Sequence, residues 1–486
     1  MIYKLRPYQE DCVKSISDYI NSDRHDPVLI VGPVGCGKSI LIAEAARLMG
    51  DKTIILQPSK ELLQQNYDKL TSYGIPATIY STSCGKKELS NMIYATLGSI
   101  KKVVGQLKEM GIRNVLIDEA HAGYSPEDGS EFMTFMNELK PRKVIGFTAT
   151  PCRLKNMSIG QISYSQLNFI TRMRPVYFKN LIHVIQVEEM IRQGFWTPLK
   201  YETWDFNGDA LKLNSNGSEY TAGSISEAVR KNGLNNLILR RLMVLKDVCR
   251  SILVFMDSVE SCNTAAEWMN AKICAGMAEV VHGGTPKKQR EAIVERFKSG
   301  GTRVVFNYSA LGTGFDHPGL DCVIVGRPTF SFSSFYQWLG RAVRIKDGKD
   351  SALVVDCCNN SSRFGDIRKL SIENYKGYGW GMFIGDKLIT NIPMGDKVTK
   401  TDLDIKAAKK DRRRGLAQGV TAAPVPGRPD HPLGSTVMTF GKYCGWMLHS
   451  IPVSYFKFIN ETFDWDNDRN KDIKEYIDFL IKNNRL

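Results

Sequence analysis

An apolar run, Val28-Leu29-Ile30-Val31, passes directly into Gly32-Pro33-Val34-Gly35-Cys36-Gly37-Lys38-Ser39, and then into a helix-like stretch from Ile40 to Leu48. Strand, glycine loop and helix in that order constrain the fold more than any other segment. The glycines let backbone N–H groups wrap a polyphosphate without interference from a Cβ. The helix N-terminus adds a partial positive charge. The segment from Gly32 through Pro33, Val34, Gly35, Cys36 and Gly37 is therefore expected to cradle phosphates. Lys38 reaches the β- and γ-phosphates and Ser39 holds Mg²⁺ in such a site. The expected ligand is a nucleoside triphosphate. The loop alone leaves a kinase, a GTPase and a motor open.

Two segments alternate between strand-like and helix-like runs. The first, from about Leu5 to Thr150, has strand candidates at Val28–Val31, Thr53–Leu56, Ala77–Tyr80, Asn91–Thr96, Asn114–Ile117 and Lys143–Thr148. Helical stretches such as Lys60–Ser72 and Ile100–Met110 lie between them. The second, from about Asn235 to Cys358, has candidates at Ser251–Phe255, Ala278–Val281, Thr302–Phe306, Cys322–Val325 and Ala352–Val355. Alternation of this kind implies parallel sheets covered by helices on both faces. Two such segments imply two doubly wound domains. Between them, Leu181–Gly194 reads as a short helix, followed by Phe195-Trp196-Thr197-Pro198, and Asp205–Ala222 reads as loop.

The chain has 486 residues, room for about three domains. Its net charge of +14 favours an anionic partner, most simply nucleic acid. No apolar run is long enough to cross a bilayer, and the N-terminus lacks the apolar core of a secretory signal, so a soluble, intracellular chain associated with nucleic acid is expected. The eleven cysteines form neither a Cys-x-x-Cys pair nor a zinc-spaced cluster, which points to free thiols and to no zinc.

Downstream, Val115-Leu116-Ile117 runs into Asp118-Glu119-Ala120-His121. An apolar strand ending in two acids places carboxylates at the sheet edge beside the phosphate loop. Asp118 is expected to hold Mg²⁺, Glu119 to act as general base on the attacking water, and His121 to link this site to the end of the next strand.

Asp118-Glu119-Ala120-His121 spells the DEAH box, and the motifs in their order resemble superfamily 2 helicases over roughly Leu5 to Asp356. The resemblance implies two RecA-like domains with ATP in the cleft between them. Leu5-Arg6-Pro7-Tyr8-Gln9 looks like the adenine-reading element. It places Arg6 and Gln9 at the base, with the Gln9 amide suited to pair bidentately with an adenine edge. Gln57-Pro58-Ser59-Lys60-Glu61-Leu62 resembles the first strand-gripping motif and Ala95-Thr96 begins another, which implies nucleic-acid contacts from Pro58, Ser59, Lys60 and Thr96. Gly146-Phe147-Thr148-Ala149-Thr150-Pro151 resembles the motif that couples hydrolysis to domain movement, with the Thr148 and Thr150 hydroxyls suited to contact the DEAH acids.

In the second domain, Val254-Phe255 with Asp257-Ser258 resembles motif IV, and Val281-His282-Gly283-Gly284 the strand end before a helix at Pro286–Phe297. Asn307-Tyr308-Ser309-Ala310-Leu311-Gly312-Thr313-Gly314-Phe315-Asp316 resembles motif V. That likeness implies nucleic-acid contacts from Ser309 and Thr313 and nucleotide contacts from Gly314 and Asp316. Gln337-Trp338-Leu339-Gly340-Arg341-Ala342-Val343-Arg344 resembles motif VI, so Gln337, Arg341 and Arg344 are expected in the catalytic set. The two arginines, spaced i, i+3, are expected to share one helical face and to act as arginine fingers. The wording looks closest to the DNA-directed branch of type III restriction subunits, RadD-like and phage UvsW-like proteins. The zinc module of RadD-like proteins has no counterpart here.

After Ser361 the pattern changes. Lys406 to Arg414 is a basic run and Gly415–Gly434 reads as a linker. The stretch Met438 to Leu448, with Ile451-Pro452 and Tyr455-Phe456, is similar to a small module found after exonuclease-X-type catalytic domains. Its Lys442, Tyr443, Trp446, Tyr455 and Lys457 either stack bases and touch phosphates or build a small core. The expected fold class is thus α/β: two RecA-like parallel-sheet domains in tandem plus a small C-terminal α+β module. The divisions fall at 1–155, 156–234 (connecting), 235–360, 361–434 (extension and basic linker) and 435–486. The expected activity is that of an ATP-dependent DNA helicase or translocase using ATP and Mg²⁺. An RNA helicase, an ATP-gated scaffold and a nuclease are the rivals, the last with only Asp464, Asp466 and Asp468 as close-set carboxylates.

Overall fold

Apolar runs without alternation are what strands buried on both faces require. In the computed structural model these runs form two sheets, with residues 4–50, 52–159, 162–311, 315–376, 378–407, 431–436, 438–439, 443, 446–462 and 470–485 described. The first sheet has the order Asn180–Val184, Val28–Val31, Lys143–Thr148, Asn114–Ile117, Thr53–Leu56, Met92–Ala95, Thr78–Ser81, Lys86–Lys87. It is parallel except for the last pairing, which is antiparallel. The second is wholly parallel, in the order Leu199–Thr203, Ala352–Asp356, Cys322–Val325, Ile252–Phe255, Val304–Tyr308, Ala278–His282.

This topology positions the site. Val28–Val31, Lys143–Thr148 and Asn114–Ile117 are neighbours, so the phosphate loop, Thr148 and Asp118 leave the sheet at one edge. Carboxyl ends of parallel strands are where ligands bind in such sheets.

The segment between the two alternating regions is more ordered than its sequence indicates. Cys152–Ile159 and Ile162–Phe169 pair as an antiparallel hairpin. Asn180–Val184 is a strand rather than the start of a helix, and only Val187–Arg192 is helical. The reason is pairing: Val28–Val31 would otherwise be an open sheet edge, and Leu181, Ile182 and Val184 suit a half-buried strand there. After Thr197 and Pro198 the chain enters the second sheet at Leu199. Asp205–Thr221 contains no regular element apart from an isolated bridge between Leu213 and Tyr220. The stretch read as one helix over Ile100–Met110 is broken into Leu97–Ile100, a 3-10 turn at Lys101–Val103, and Val104–Glu109.

Residues 1–374 with 380–398 form one compact unit, which holds both sheets, and 375–379 with 399–486 form a second. Within the second unit, Met438, Leu448, Ile451, Phe456, Ile459, Ile473, Tyr476, Ile477 and Leu480 make a small core. Phe456 and Tyr476 are part of that core, whereas Trp446 is 41% and Phe458 58% exposed. Tyr443 contacts both Trp446 and Tyr455 edge-to-face. Lys442, the basic residues Lys409 to Arg414 and the aspartates 464, 466 and 468 lie outside the described residues.

Candidate nucleotide site

The phosphate loop is a strained turn that only glycine relieves. Gly35 and Gly37 have φ of +83° and +82°, in the left-handed region. Gly37 precedes the helix Lys38–Met49, so the loop delivers its N–H groups to that helix's N-terminus. Gly32 N–H donates to the Thr148 carbonyl (3.0 Å), which ties the loop to the neighbouring strand. The loop's outer carbonyl, Cys36 O, accepts from Gln9 Nε2 at 2.9 Å and Tyr8 OH at 3.1 Å.

That contact corrects one expectation. The Gln9 amide faces the loop rather than a base. Its Nε2 donates to Cys36 O, its Oε1 accepts from Arg6 N–H (3.0 Å), and the residue is 2% exposed. An amide close behind a glycine turn satisfies a carbonyl that burial would otherwise orphan. Arg6 does reach the cleft, and there its guanidinium lies 4.6 Å from the ring centre of Phe195, a residue the motifs did not single out.

A cleft of about 440 Å³ is lined by Pro33, Val34, Gly35, Gly37, Lys38 and Ser39 from the loop. Asp118 and Glu119 from the next strand end, and Asp316, Gln337, Arg341 and Arg344 from the second sheet's side, line the same cleft. Lys38 Nζ lies 3.1 Å from Glu119 Oε1. Asp118 accepts from Asn66 Nδ2 at 2.9 Å and from Glu119 N–H at 2.8 Å. Glu119 itself has φ of +45°, an unfavourable conformation for a side chain with a Cβ and one typical of functional sites. Burial pushes the Glu119 carboxyl up, but the Lys38 ammonium, aided by His121, overrides it and holds the group well below the usual carboxylate range. Asp118 goes the other way: burial and the Glu119 charge raise it. Two adjacent carboxyls pushed apart in this manner are suited to different tasks.

His121 Nδ1 stands 2.8 Å from Thr148 Oγ1 and 3.3 Å from Glu119 Oε2, so it does link the acids to the next strand's end. The threonines are placed otherwise than expected. Thr148 Oγ1 meets His121 rather than Asp118 or Glu119, and Thr150 Oγ1 meets Ser333 Oγ (3.1 Å) on the second sheet's side. Neither threonine is among the residues that line the cleft.

The arginines also depart from expectation. The helix Phe332–Leu339 ends at Gly340, so Arg341 and Arg344 lie on the turn that follows rather than on a shared helical face. Gly340 keeps helical dihedrals, and its lack of a side chain is required by packing: a Cβ there would come within 2.5 Å of Val34 in the phosphate loop. The two guanidiniums nevertheless converge, since both donate to Phe315 O, at 2.8 Å and 3.0 Å. Arg344 is also ion-paired with Asp316. Burial, together with the Arg344 charge, pushes Arg341 down to about 9, and burial lowers Arg344 as well. A cation destabilised by burial gains most from an anion brought beside it.

Of the residues expected at nucleic acid, Pro58 and Lys60 are exposed just beyond Thr53–Leu56, and Thr96 follows the adjacent strand Met92–Ala95. Ser59 Oγ caps the helix Lys60–Thr71 by accepting from Leu62 N–H (3.3 Å). Thr96 Oγ1 sits within reach of Ser81 and Ser99. Ser309 is exposed beyond Val304–Tyr308, with φ of +54°. Thr313 and Gly314 lie outside the described residues. Among the described residues no group of His, Cys, Asp or Glu is arranged as a separate metal site, and no helix is long and apolar enough to cross a membrane.

Residues 2–153 match the family described as the type III restriction enzyme res subunit, and residues 235–346 match the helicase conserved C-terminal domain. Among curated proteins, the chain is 23% identical over 378 residues to Saccharomyces cerevisiae IRC3, provisionally named an ATP-dependent helicase, covering 74% of this chain and 52% of that one. It is 25% identical over 377 residues to the ATP-dependent DNA helicase Hel308 of Pyrococcus horikoshii, covering 69% and 49%. The chain thus spans about half the length of these relatives. Among solved structures, the ATP-dependent Type ISP restriction-modification enzyme LlaBIII bound to DNA superposes with a TM-score of 0.54 at 15% identity, over 86% of this chain and 30% of that one, a likeness of fold.

Proposed function

This chain carries both domains of a superfamily 2 helicase, and on that premise we propose that it is an ATP-dependent DNA helicase or translocase. One observation carries the proposal: Lys38 and Ser39 on one sheet's phosphate loop and Arg341 and Arg344 from the other sheet's side line a single cleft. Neither half alone completes a phosphoryl-transfer site, so chemistry and lobe closure are one event.

The residues fit a magnesium nucleotide. Gly35 and Gly37, both at positive φ, line the cleft as bare backbone ahead of Lys38 and Ser39. Ser39 and Asp118 would hold Mg²⁺, which when bound offsets charge on the phosphate oxygens. Lys38, which shares an ion pair with Glu119, would exchange that partner for the β- and γ-phosphates. Glu119, so released, would take the proton of the attacking water. Arg341 and Arg344 would stabilise charge developing on the transferred phosphoryl group. Gln337 would orient the water or the γ-phosphate beside them. The base would lie against Arg6 and Phe195, a guanidinium and an aromatic ring that line the cleft together.

The net charge of +14, with exposed Pro58, Lys60 and Ser309 and half-buried Thr96 just beyond strand ends, supports a nucleic-acid track across both sheets. DNA is favoured by the motif wording and by the DNA helicase among the relatives. The test is ATP hydrolysis with single-stranded, duplex, forked and branched DNA and with RNA, alongside strand displacement. Stimulation by DNA with strand displacement supports a helicase. Stimulation by RNA alone, or tight ATP-dependent binding without turnover, would replace it with one of the rival activities.

A further inference from the structure

Phe195-Trp196-Thr197 lies on the segment that leaves the first sheet after Val184 and enters the second at Leu199. Two of these residues grip opposite halves of the cleft. The Trp196 indole N–H donates to the Val34 carbonyl of the phosphate loop at 2.8 Å. The Thr197 backbone N–H donates to Val343 O (2.8 Å), and its hydroxyl donates to Arg344 O (2.8 Å), both on the arginine turn. Each residue is 2% exposed, so these bonds are made away from competing water. The loop and the turn also meet directly: a Cβ on Gly35 would stand 3.3 Å from Val343 Cγ2 and 3.4 Å from the indole nitrogen. Lys349 holds the same turn from its far side, donating to Ala342 O at 2.7 Å and Arg344 O at 2.8 Å.

We propose that Trp196 and Thr197 are positioning residues that set the spacing between the phosphate loop and the arginine turn. The inference rests on the ATPase reading given above. Neither side chain is among those lining the cleft, so both act through the backbone of Val34, Val343 and Arg344. Their spacing is rigid because the two residues are consecutive in the chain and each bonds a different half of the site. An offset of the guanidiniums by a fraction of an ångström weakens stabilisation of the transition state far more than it weakens binding of the product nucleotide.

The test compares ADP with ADP–aluminium fluoride, a transition-state mimic, in the full chain. Trp196→Phe keeps the ring and removes the donor. Thr197→Val keeps the shape and removes the hydroxyl, while Thr197→Ser retains it. In Trp196→Phe and Thr197→Val, ADP affinity should stay within about twofold of wild type. Affinity for ADP–aluminium fluoride and kcat should both fall about tenfold with little change in KM, and Thr197→Ser should restore both. Equal losses for ADP and the mimic, or no loss in either variant of an active protein, would overturn the proposal. A wild-type chain that does not hydrolyse ATP would overturn the ATPase reading, and this inference with it.

Discussion

Ser333 Oγ stands 3.2 Å from His121 Nε2, although His121 follows the first sheet's strand Asn114–Ile117 and Ser333 lies on the helix Phe332–Leu339, which follows the second sheet's strand Cys322–Val325. The same hydroxyl lies 3.1 Å from Thr150 Oγ1. Since His121 also reaches Thr148 and Glu119, and Glu119 reaches Lys38, a continuous polar chain joins the phosphate loop to the helix that precedes the arginine turn.

If that chain reports lobe position to Glu119, the proposed base, His121→Ala and Ser333→Ala should each lower nucleic-acid-stimulated ATP turnover by about tenfold. The double variant should be no worse than the weaker of the two singles, because one link already breaks the path. Steady-state rates of the four proteins, with saturating nucleic acid, check this. Multiplicative losses would mean that the two residues act independently.

Phe195→Ala should raise KM for ATP about tenfold with a smaller effect on kcat, because base stacking stabilises ground state and transition state alike. The loss should be smaller for UTP, whose single ring stacks over less area. Michaelis curves for both nucleotides measure the difference.

Gly340→Ala places a Cβ within 2.5 Å of Val34 Cγ2 and 2.6 Å of its Cβ. The turn must retreat from the loop, so kcat should fall about tenfold or more while the thermal midpoint moves only a few degrees, about 2–4 °C. Val34→Gly combined with Gly340→Ala should recover much of the activity by reopening the space. No recovery would show that Gly340 is needed for its own backbone rather than for this approach.

His317 packs on the Phe297 ring and hydrogen-bonds Ser251 Oγ at 2.9 Å. Burial, with the charges of Lys346, Lys298 and Lys349, lowers it to about 4, against a weaker opposing pull from Asp316. An unfolded histidine takes its proton near pH 6.5, so the unfolded chain binds more protons than the native one between about 6.5 and 4. The native state should therefore lose stability as pH falls through that window, and the slope should flatten in His317→Gln. Thermal midpoints at a series of pH values from neutral to mildly acidic report both.

The central strands were legible because parallel strands buried on two faces appear as unbroken apolar runs, as at Val28–Val31 and Cys322–Val325. The phosphate loop and the paired acids were legible because glycine and carboxylate chemistry leaves few alternatives at a strand end. The edge strand Asn180–Val184 was not, since its pairing with Val28–Val31 is a long-range choice that local pattern does not encode. Nor was the hairpin after Pro151, whose first strand intersperses Arg153, Lys155, Asn156 and Ser158 among Cys152, Leu154, Met157 and Ile159 and so shows no unbroken apolar run. Arg341 and Arg344 were identified as a pair but placed on a helix, because i, i+3 spacing does not reveal that Gly340 ends it. Ser333 carries no local signal at all: a serine near a helix start is ordinary, and only the packing of the two sheets brings it to His121. Gln9 was expected at a base, while its observed partner, the Cys36 carbonyl, is a backbone atom that composition does not mark.

The most direct test of the shared cleft is DNA-stimulated ATP hydrolysis by wild type, Lys38→Ala and Arg341→Ala, with ADP affinity measured on the same preparations. The account predicts that Lys38→Ala loses turnover and binds nucleotide weakly. It predicts that Arg341→Ala loses turnover by about 10³-fold while ADP affinity stays close to wild type. Wild-type hydrolysis by Arg341→Ala would contradict it, because the two lobes would then not be completing one active site.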